Sequence, residues 1–273
     1  MDTRQLPARC AICSSPGAFL WAKGEQRVYK CLACGFRFAH PVPDLPLRDD
    51  FSHARVILDS PDHFRSEYNR FLARVESMTV VGKLLDIGCN IGLSLVVAQE
   101  RGWAPLGIEL SLEAAQYGRE KFGIEIIETP LEEAGLSEGE FDAVVMYHTL
   151  EHVLHPLQML SDVARVLKPG GVLYISVPNS GGISSFLLRE KWEWVSQEHV
   201  SYFDRGSLRL ALEKVGLVPM IITSCLGARV AKAKPRWEAQ FIDRISNVLC
   251  LSISLESWSK KLPALHRFNA AAE

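Results

Sequence analysis

The 273-residue chain has no apolar run long enough to cross a membrane. A spanning helix needs ~20 residues, and the longest apolar stretches, such as residues 217–226, reach about half of that. Its first ten residues hold Arg4, Pro7 and Arg9 and no apolar stretch, so no secretory leader is expected and the protein is placed in the cytoplasm. Charge of one sign is missing too. Thirty Lys+Arg against 32 Asp+Glu leave a net charge of -2, which excludes whole-chain attraction to nucleic acid but not a local basic patch. Extremes of composition are absent: with 48% hydrophobic and 23% charged residues, disordered and fibrous chains are excluded. The length suits one large domain with a small addition, or two modest ones.

Seven cysteines need an explanation in a compartment where structural disulfides are rare. Four form two pairs, Cys10-Ala-Ile-Cys13 and Cys31-Leu-Ala-Cys34-Gly35, separated by residues 14–30. This is the spacing of a four-cysteine zinc site. A two-residue gap points both sulfurs of a turn at one ion, and two turns joined by a short hairpin complete a tetrahedron of thiolates. Gly35 suits the positive φ such a turn requires. The segment has too little core to fold alone, so the metal supplies folding energy. Four sulfurs close the coordination sphere, which makes the site structural rather than catalytic. Iron can use the same ligands; zinc is favoured because nothing nearby suggests electron transfer. Cys89, Cys225 and Cys250 read as ordinary apolar positions.

Residues 41–62 are rich in proline and aspartate and read as a linker. A helix is predicted from Pro61, with Phe64, Tyr68, Phe71, Leu72, Val75 and Met78 on one stripe. Short apolar runs then alternate with helical stretches, which predicts a parallel sheet with crossover helices. Predicted strands are 83–87, 105–109, 124–128, 142–147, 172–177 and 217–223. Predicted helices are 92–101, 112–122 (capped by Ser111 and closed by Gly123), 156–167 and 207–215. A helical stripe in 237–262, including Leu255 and Trp258, predicts a helical tail packed on the body.

The first of these strands runs into Asp86-Ile-Gly88-Cys-Asn90-Ile-Gly92. A glycine-bearing turn between a buried strand and a helix lets backbone amides approach a ligand. A dinucleotide fingerprint is lacking, because Asn90 and Leu93 occupy its second and third glycine positions. Asp86 suits a cationic ligand better than a pyrophosphate, and Glu109 is placed to accept both hydroxyls of a ribose.

These segments resemble the class I methyltransferases that use S-adenosylmethionine. LLDIGCNIG resembles their first motif, GIEL ending in Glu109 their second, and FDAVVMYHTLEHVLHP followed by LKPGG their fourth strand and the turn into the fifth. The resemblance spans about residues 64–223. It implies a Rossmann-like, doubly wound α/β fold with a mostly parallel sheet. It also implies that Asp86, Gly88, Asn90 and Gly92 surround the methionine part of the donor and that Glu109 binds its ribose. By the same resemblance Thr129 to Leu131 flank the adenine, and Tyr147 and His148 close over the sulfonium. The division that follows is a zinc ribbon (1–40), a linker and helix (41–80), the donor-binding domain (81–225) and a helical tail (226–273).

His148-Thr-Leu-Glu151-His152 also matches an H-x-x-E-H pattern of zinc peptidases. That reading needs both histidines on one helical face and a third ligand. The segment instead leaves a buried strand, so it is read as the loop facing the donor, with His152 a hydrogen-bonded polar group. The connection 178–204 is long, and long ordered loops at the carboxyl end of a parallel sheet are usually functional. Gly181 and Gly182 allow movement, while Phe186, Trp192, Trp194, Tyr202 and Phe203 offer pocket walls. Glu198-His199 lies among them, and a histidine oriented by a carboxylate is the usual general base. Capping the helix at 207 is the alternative role for His199.

QEHVSYF resembles a segment of sugar C-methyltransferases, which also begin with a four-ligand zinc module and act on nucleotide-linked keto sugars. The resemblance implies catalytic roles for Glu198 and His199 and a pocket-wall role for Tyr202. Those enzymes carry a further carboxyl-terminal domain, so a hydroxyl acceptor on a sugar or related metabolite is equally open. The expected function is methyl transfer from S-adenosylmethionine to oxygen or carbon of a small, sugar-like acceptor, with structural zinc and no membrane partner. Two alternatives stand beside it. One is a ribosomal RNA guanine methyltransferase, favoured by Arg4, Arg9, Lys23, Arg27, Lys30 and Arg37 and opposed by the net charge. The other is a non-enzymatic interaction module on a cofactor-binding body.

Overall fold

The cysteine pairs sit on two knuckles that bracket a hairpin. In the computed structural model, which describes residues 8–41, 51–225 and 254–263, strands β1 (Gly17–Lys23) and β2 (Gln26–Cys31) pair antiparallel, and β3 (Arg37–Ala39) joins β2. A few buried side chains, among them Cys10, Ile12, Cys31, Phe36 and Phe38, line its interior and merge with the core of the body. Phe36 lies 5.0 Å, centroid to centroid, from Phe203 of the body.

Part of the predicted linker is helical: α1 (Ser52–Leu58) buries Ala54 and Ile57. Then α2 (Pro61–Glu76), with proline in its first turn, buries Tyr68, Phe71, Leu72 and Val75 as the stripe predicts. The body alternates as expected: β4 (Lys83–Ile87), α3 (Leu93–Glu100), β5 (Ala104–Ile108), α4 (Leu112–Phe122), β6 (Ile126–Ile127), β7 (Phe141–Tyr147), α5 (Pro156–Val166) and β8 (Leu167–Pro178). Ser111 caps α4 through its hydroxyl and Gly123 closes it at φ +65°. A short helix α6 (Ile183–Leu188), strand β9 (Ser201–Tyr202), α7 (Arg205–Lys214) and β10 (Leu217–Cys225) follow. The cap of α7 is Asp204, in a reciprocal box with Ser207, so that helix begins two residues before the predicted start.

The carboxyl-terminal strand β11 (Ser254–Lys261) corrects the expected helical tail over these residues; the remainder of that prediction lies outside the described residues. Leu255 and Trp258 fit a helical stripe, yet β11 sits between β8 and β10, antiparallel to both, and all but one of its residues are buried. A strand inside a sheet is covered on both faces, so helical spacing of two apolar residues does not decide the matter. The sheet order is β10-β11-β8-β7-β4-β5-β6, with β8-β7-β4-β5-β6 parallel. One face packs on α5 and α7 and is continuous with the ribbon; α2, α3 and α4 cover the other. From β4 the chain runs outward to β5 and β6 and then crosses back to β7 on the other side of β4, so the strand order reverses there. The crevice at the carboxyl ends of these strands is where such sheets bind ligands.

The ribbon and the body share a sheet. β3 pairs antiparallel with β9, which lies in the long connection after β8, giving the order β1-β2-β3-β9. Trp21 and Val28 of the ribbon pack with Trp192, Val195 and Tyr202 of that connection in a third core.

Candidate active site

Asp86 ends a buried strand, and its carboxyl is buried with it. Ser94 donates to Oδ2, while Oδ1 has no hydrogen-bond partner. Burial, with the nearby charge of Glu109, pushes the carboxyl up to about 7 even though Ser94 pulls it down. A buried orphan acceptor of this kind fits a cationic ligand. The turn beyond it is built from left-handed residues: Gly88 at φ +76°, Asn90 at +54° and Gly92 at +74°. A Cβ on Gly88 would come within 2.6 Å of Thr149 Oγ1, so glycine is needed for both conformation and space. Asn90 takes the conformation that glycine would supply, and its Oδ1 accepts from the Ile91 amide at 2.8 Å. Glu109, just beyond β5, accepts from the amides of Asn90 and Ser111, each at 2.8 Å. A carboxylate has about four lone-pair sites, so capacity for two hydroxyls remains. Thr129 and Leu131 follow β6, the neighbour of β5; Thr129 is exposed and Leu131 is buried.

Beyond β7 the backbone turns sharply at His148, φ +54°. Thr149 anchors this loop on the first by donating to the Ile87 carbonyl at 2.8 Å. Tyr147 packs edge-on to Tyr68 and His148, with centroid separations of 5.6 and 4.8 Å. His148 Nδ1 lies 3.0 Å from Glu151 Oε1, and its ring stacks on Trp194 at 5.2 Å. His199 comes from the other side. It is buried, stacks on Trp194, and its ring centroid is 4.7 Å from that of His152.

His199 Nδ1 donates to the Trp194 carbonyl at 2.7 Å. A carbonyl only accepts, which fixes the neutral tautomer and leaves Nε2 as the lone-pair nitrogen. Burial lowers the imidazole to about 4, against the pull of Glu151, so it is not the near-neutral group expected. The carboxylate acting on this ring is Glu151, not the predicted Glu198. Glu198 instead reaches toward His53 at 3.6 Å and offers its backbone carbonyl to His152 Nδ1 at 3.1 Å. Burial pushes Glu151 up, but the His148 bond and the charges of His148, His152 and His199 outweigh it and hold the carboxyl below its usual range. Its Oε2 is buried and unpartnered.

Of the expected pocket walls, Trp194 faces the site, with a buried, unpartnered indole N–H. Tyr202 and Trp192 are buried against the ribbon, Phe203 lies in the core, and Phe186 is 70% exposed. Several functional contacts were missed because they come from the ribbon. Gln26 Nε2 donates to the His199 carbonyl at 2.8 Å, Lys23 Nζ to the Val195 carbonyl at 2.6 Å, and the Ala39 amide to the Val200 carbonyl at 2.9 Å. A hollow of about 660 Å³ lined by Gly82, Lys83 and Asp142 lies at the amino ends of the strands, away from this chemistry.

In the ribbon, Cys10, Cys13, Cys31 and Cys34 converge. The Sγ separations Cys10–Cys34, Cys13–Cys31 and Cys13–Cys34 are 3.6, 3.3 and 3.6 Å. A tetrahedron with Zn–S bonds of ~2.3 Å has edges of about 3.8 Å, so the four sulfurs fit one ion. Amides of Ile12 and Cys34 point at Sγ of Cys10 and Cys31, both at 3.4 Å, and Gly35 holds φ +77° as expected.

A methyltransferase-domain family model matches residues 61–220. The chain belongs to this family, and its class is that of the S-adenosylmethionine-dependent methyltransferases with the doubly wound sheet. Curated relatives include the ubiquinone biosynthesis O-methyltransferases of Dechloromonas aromatica, 34% identical over 111 residues, and of Escherichia coli, 31% identical over 108. These matches cover 38% and 37% of this chain, and the chain spans just under half the length of either relative (48% and 45%). Two solved structures share the fold. An S-adenosylmethionine-dependent methyltransferase from Archaeoglobus fulgidus has a TM-score of 0.58 at 18% identity, covering 74% of this chain and 95% of that one. Geranyl diphosphate C-methyltransferase from Streptomyces coelicolor has a TM-score of 0.54 at 16% identity, covering 71% and 77%.

Proposed function

We propose that this protein transfers the methyl group of S-adenosylmethionine to an oxygen or carbon nucleophile of a small, sugar-like acceptor, and that its ribbon holds a structural zinc ion on Cys10, Cys13, Cys31 and Cys34. One observation carries the reading. The acidic turn from Asp86 to Gly92, with Glu109 beside it, shares the loop after β7 with the lone pair of a buried, neutral His199.

When bound, S-adenosylmethionine supplies an electrophilic methyl group on a cationic sulfur. Asp86 would hold its amino-acid part beside the close approach that Gly88 permits, and Glu109 would accept from its ribose. Tyr147 and His148 would cover the sulfur side, and Thr129 and Leu131 would border the adenine. His199 Nε2 takes the proton of the acceptor as the nucleophilic atom bonds to the methyl carbon, and the electron pair of the broken C–S bond stays on sulfur. Glu151 stabilises the imidazolium that results, the part the sequence assigns to Glu198. The unpartnered Trp194 N–H gives the acceptor's oxygens a donor, in keeping with a polar, sugar-like molecule. Such a site works mainly by alignment and by excluding water.

The ribbon positions this machinery, because its strands carry the hydrogen bonds that hold the His199 segment. The test is transfer of radiolabelled methyl from the donor to a panel of sugars, nucleotide sugars and phenolic hydroxyl compounds. Labelled product with a sugar-type acceptor, lost in His199→Ala, supports the reading; absence of transfer to every acceptor overturns it.

A further inference from the structure

Glu151, His152 and His199 each bring a potential ligand atom within 4.8 Å of the others. Both rings donate Nδ1–H to backbone carbonyls, His199 to Trp194 and His152 to Glu198, which turns Nε2 outward as a lone pair. Glu151 is 1% exposed; His148 holds its Oε1, and Oε2 is buried and unpartnered. Orienting each ligand through its far atom is the arrangement that surrounds protein metal sites. From these contacts we propose that Glu151, His152 and His199 form a second metal site, distinct from the ribbon, for a divalent transition ion.

Two imidazoles and one carboxylate suit zinc, cobalt, nickel or ferrous iron rather than magnesium or calcium, which prefer all-oxygen shells. Bonds of ~2.0–2.1 Å place ligand atoms about 3.3 Å apart in a tetrahedron, so the trio must contract from its present spread. Exposed His152, on the short turn 150–152, is the group able to move. Three protein ligands leave open coordination positions, as catalytic rather than structural sites do. An ion on His199 Nε2 takes up the lone pair that otherwise accepts the acceptor's proton, so in the metal-loaded protein the ion would replace that base role by acidifying a hydroxyl bound at an open position. Of His148-x-x-Glu151-His152 only the last two would ligate, with His148 holding Glu151; the chain supplies the third ligand from residue 199, across β8 and the loop that follows. The inference rests on the acceptor binding beside His199, but the ion can be measured with neither donor nor acceptor present. Its failure therefore leaves the donor reading standing.

The experiment uses full-length, tag-free protein whose ribbon is already loaded with one equivalent of zinc. Cobalt(II) is titrated in and followed by calorimetry and visible absorption. The account expects one further equivalent at micromolar cobalt, with the weak bands of a nitrogen–oxygen site and no sulfur charge-transfer band. His152→Ala, on an exposed residue, should weaken that equivalent by about 10–100-fold or abolish it, and Glu151→Gln should do the same, while ribbon zinc stays at one equivalent in both. If Glu151→Gln does not fold, His152→Ala decides alone. No further equivalent in the wild type, saturation only at millimolar cobalt, or unchanged binding in His152→Ala overturns the proposal.

Discussion

Asp86 offers a perturbation whose sign and size both follow from its surroundings. In the donor-free protein its carboxyl sits at about 7 rather than 3.8, chiefly because it is buried, with Glu109 adding to the effect and Ser94 opposing it. A difference of about 3 pH units corresponds to about 4 kcal/mol for ionising it in the folded chain, as an upper estimate. Between pH 4 and 7 the folded state keeps the proton and the unfolded state has lost it. Raising the pH therefore costs stability, up to about 1.4 kcal/mol per pH unit from this group. Asp86→Asn removes the dependence, so urea unfolding should show the variant gaining on the wild type by about 1–3 kcal/mol between pH 5 and 8. A cationic donor reverses the preference and favours the carboxylate. Binding at pH 7 should then release about half a proton from the wild type, read from calorimetry in buffers of different ionisation heat, and none from the variant. Equal pH slopes for the two proteins, together with no proton release, would refute this account of the site.

Four further outcomes are expected. His199→Ala should lower turnover by about 10²–10⁴-fold and leave donor affinity nearly unchanged; loss of both in parallel would mean the residue only holds the fold. Because burial sets His199 at about 4, it is already neutral at pH 6. The pH profile of kcat/KM should show no His199-dependent break between 6 and 7, and one that vanishes in His199→Gln would contradict this. Gly88→Ala must place a Cβ 2.6 Å from Thr149 Oγ1 at φ +76°; a destabilisation of about 1–3 kcal/mol with weakened donor binding is the expected reading in a thermal-shift assay. Gln26→Ala removes the bond to the His199 carbonyl, so it should lower kcat while zinc content and donor affinity hold, and a variant with wild-type kcat would exclude ribbon positioning.

The parallel sheet and the acidic turn from Asp86 to Gly92 were legible because they rest on local chemistry. Buried strands 83–87 and 142–147 read as apolar runs, Ser111 and Gly123 bracket a helix, and Asp86 and Glu109 stand at strand ends where acidic groups have few structural uses. The cysteine knuckles were legible for the same reason, since each depends on two residues of spacing. What the sequence hid depends on pairing across distance. β11 could not be told from a helix because Leu255 and Trp258, three apart, suit one helical face as well as the two faces of a buried strand, and its place between β8 and β10 is decided by partners 29 or more residues away. Glu198 precedes His199 in the chain and was the natural partner for it. Glu198 lies in a turn that the His199 amide closes on the Ser196 carbonyl, and the carboxylate acting on the ring arrives from the loop after β7. Gln26 and Lys23 carried no signal, as nothing in a ribbon predicts that its third strand pairs with β9.

The central claim is that the turn between Asp86 and Gly92, with Glu109, holds the methyl donor. Calorimetric titration of S-adenosylmethionine and of its demethylated product into zinc-loaded protein tests it most directly. One equivalent of each should bind, with Glu109→Ala at least about tenfold weaker, as expected for loss of a charged hydrogen-bonding group worth about 1.5–3 kcal/mol. No heat with either compound, or undiminished affinity in Glu109→Ala, would contradict it.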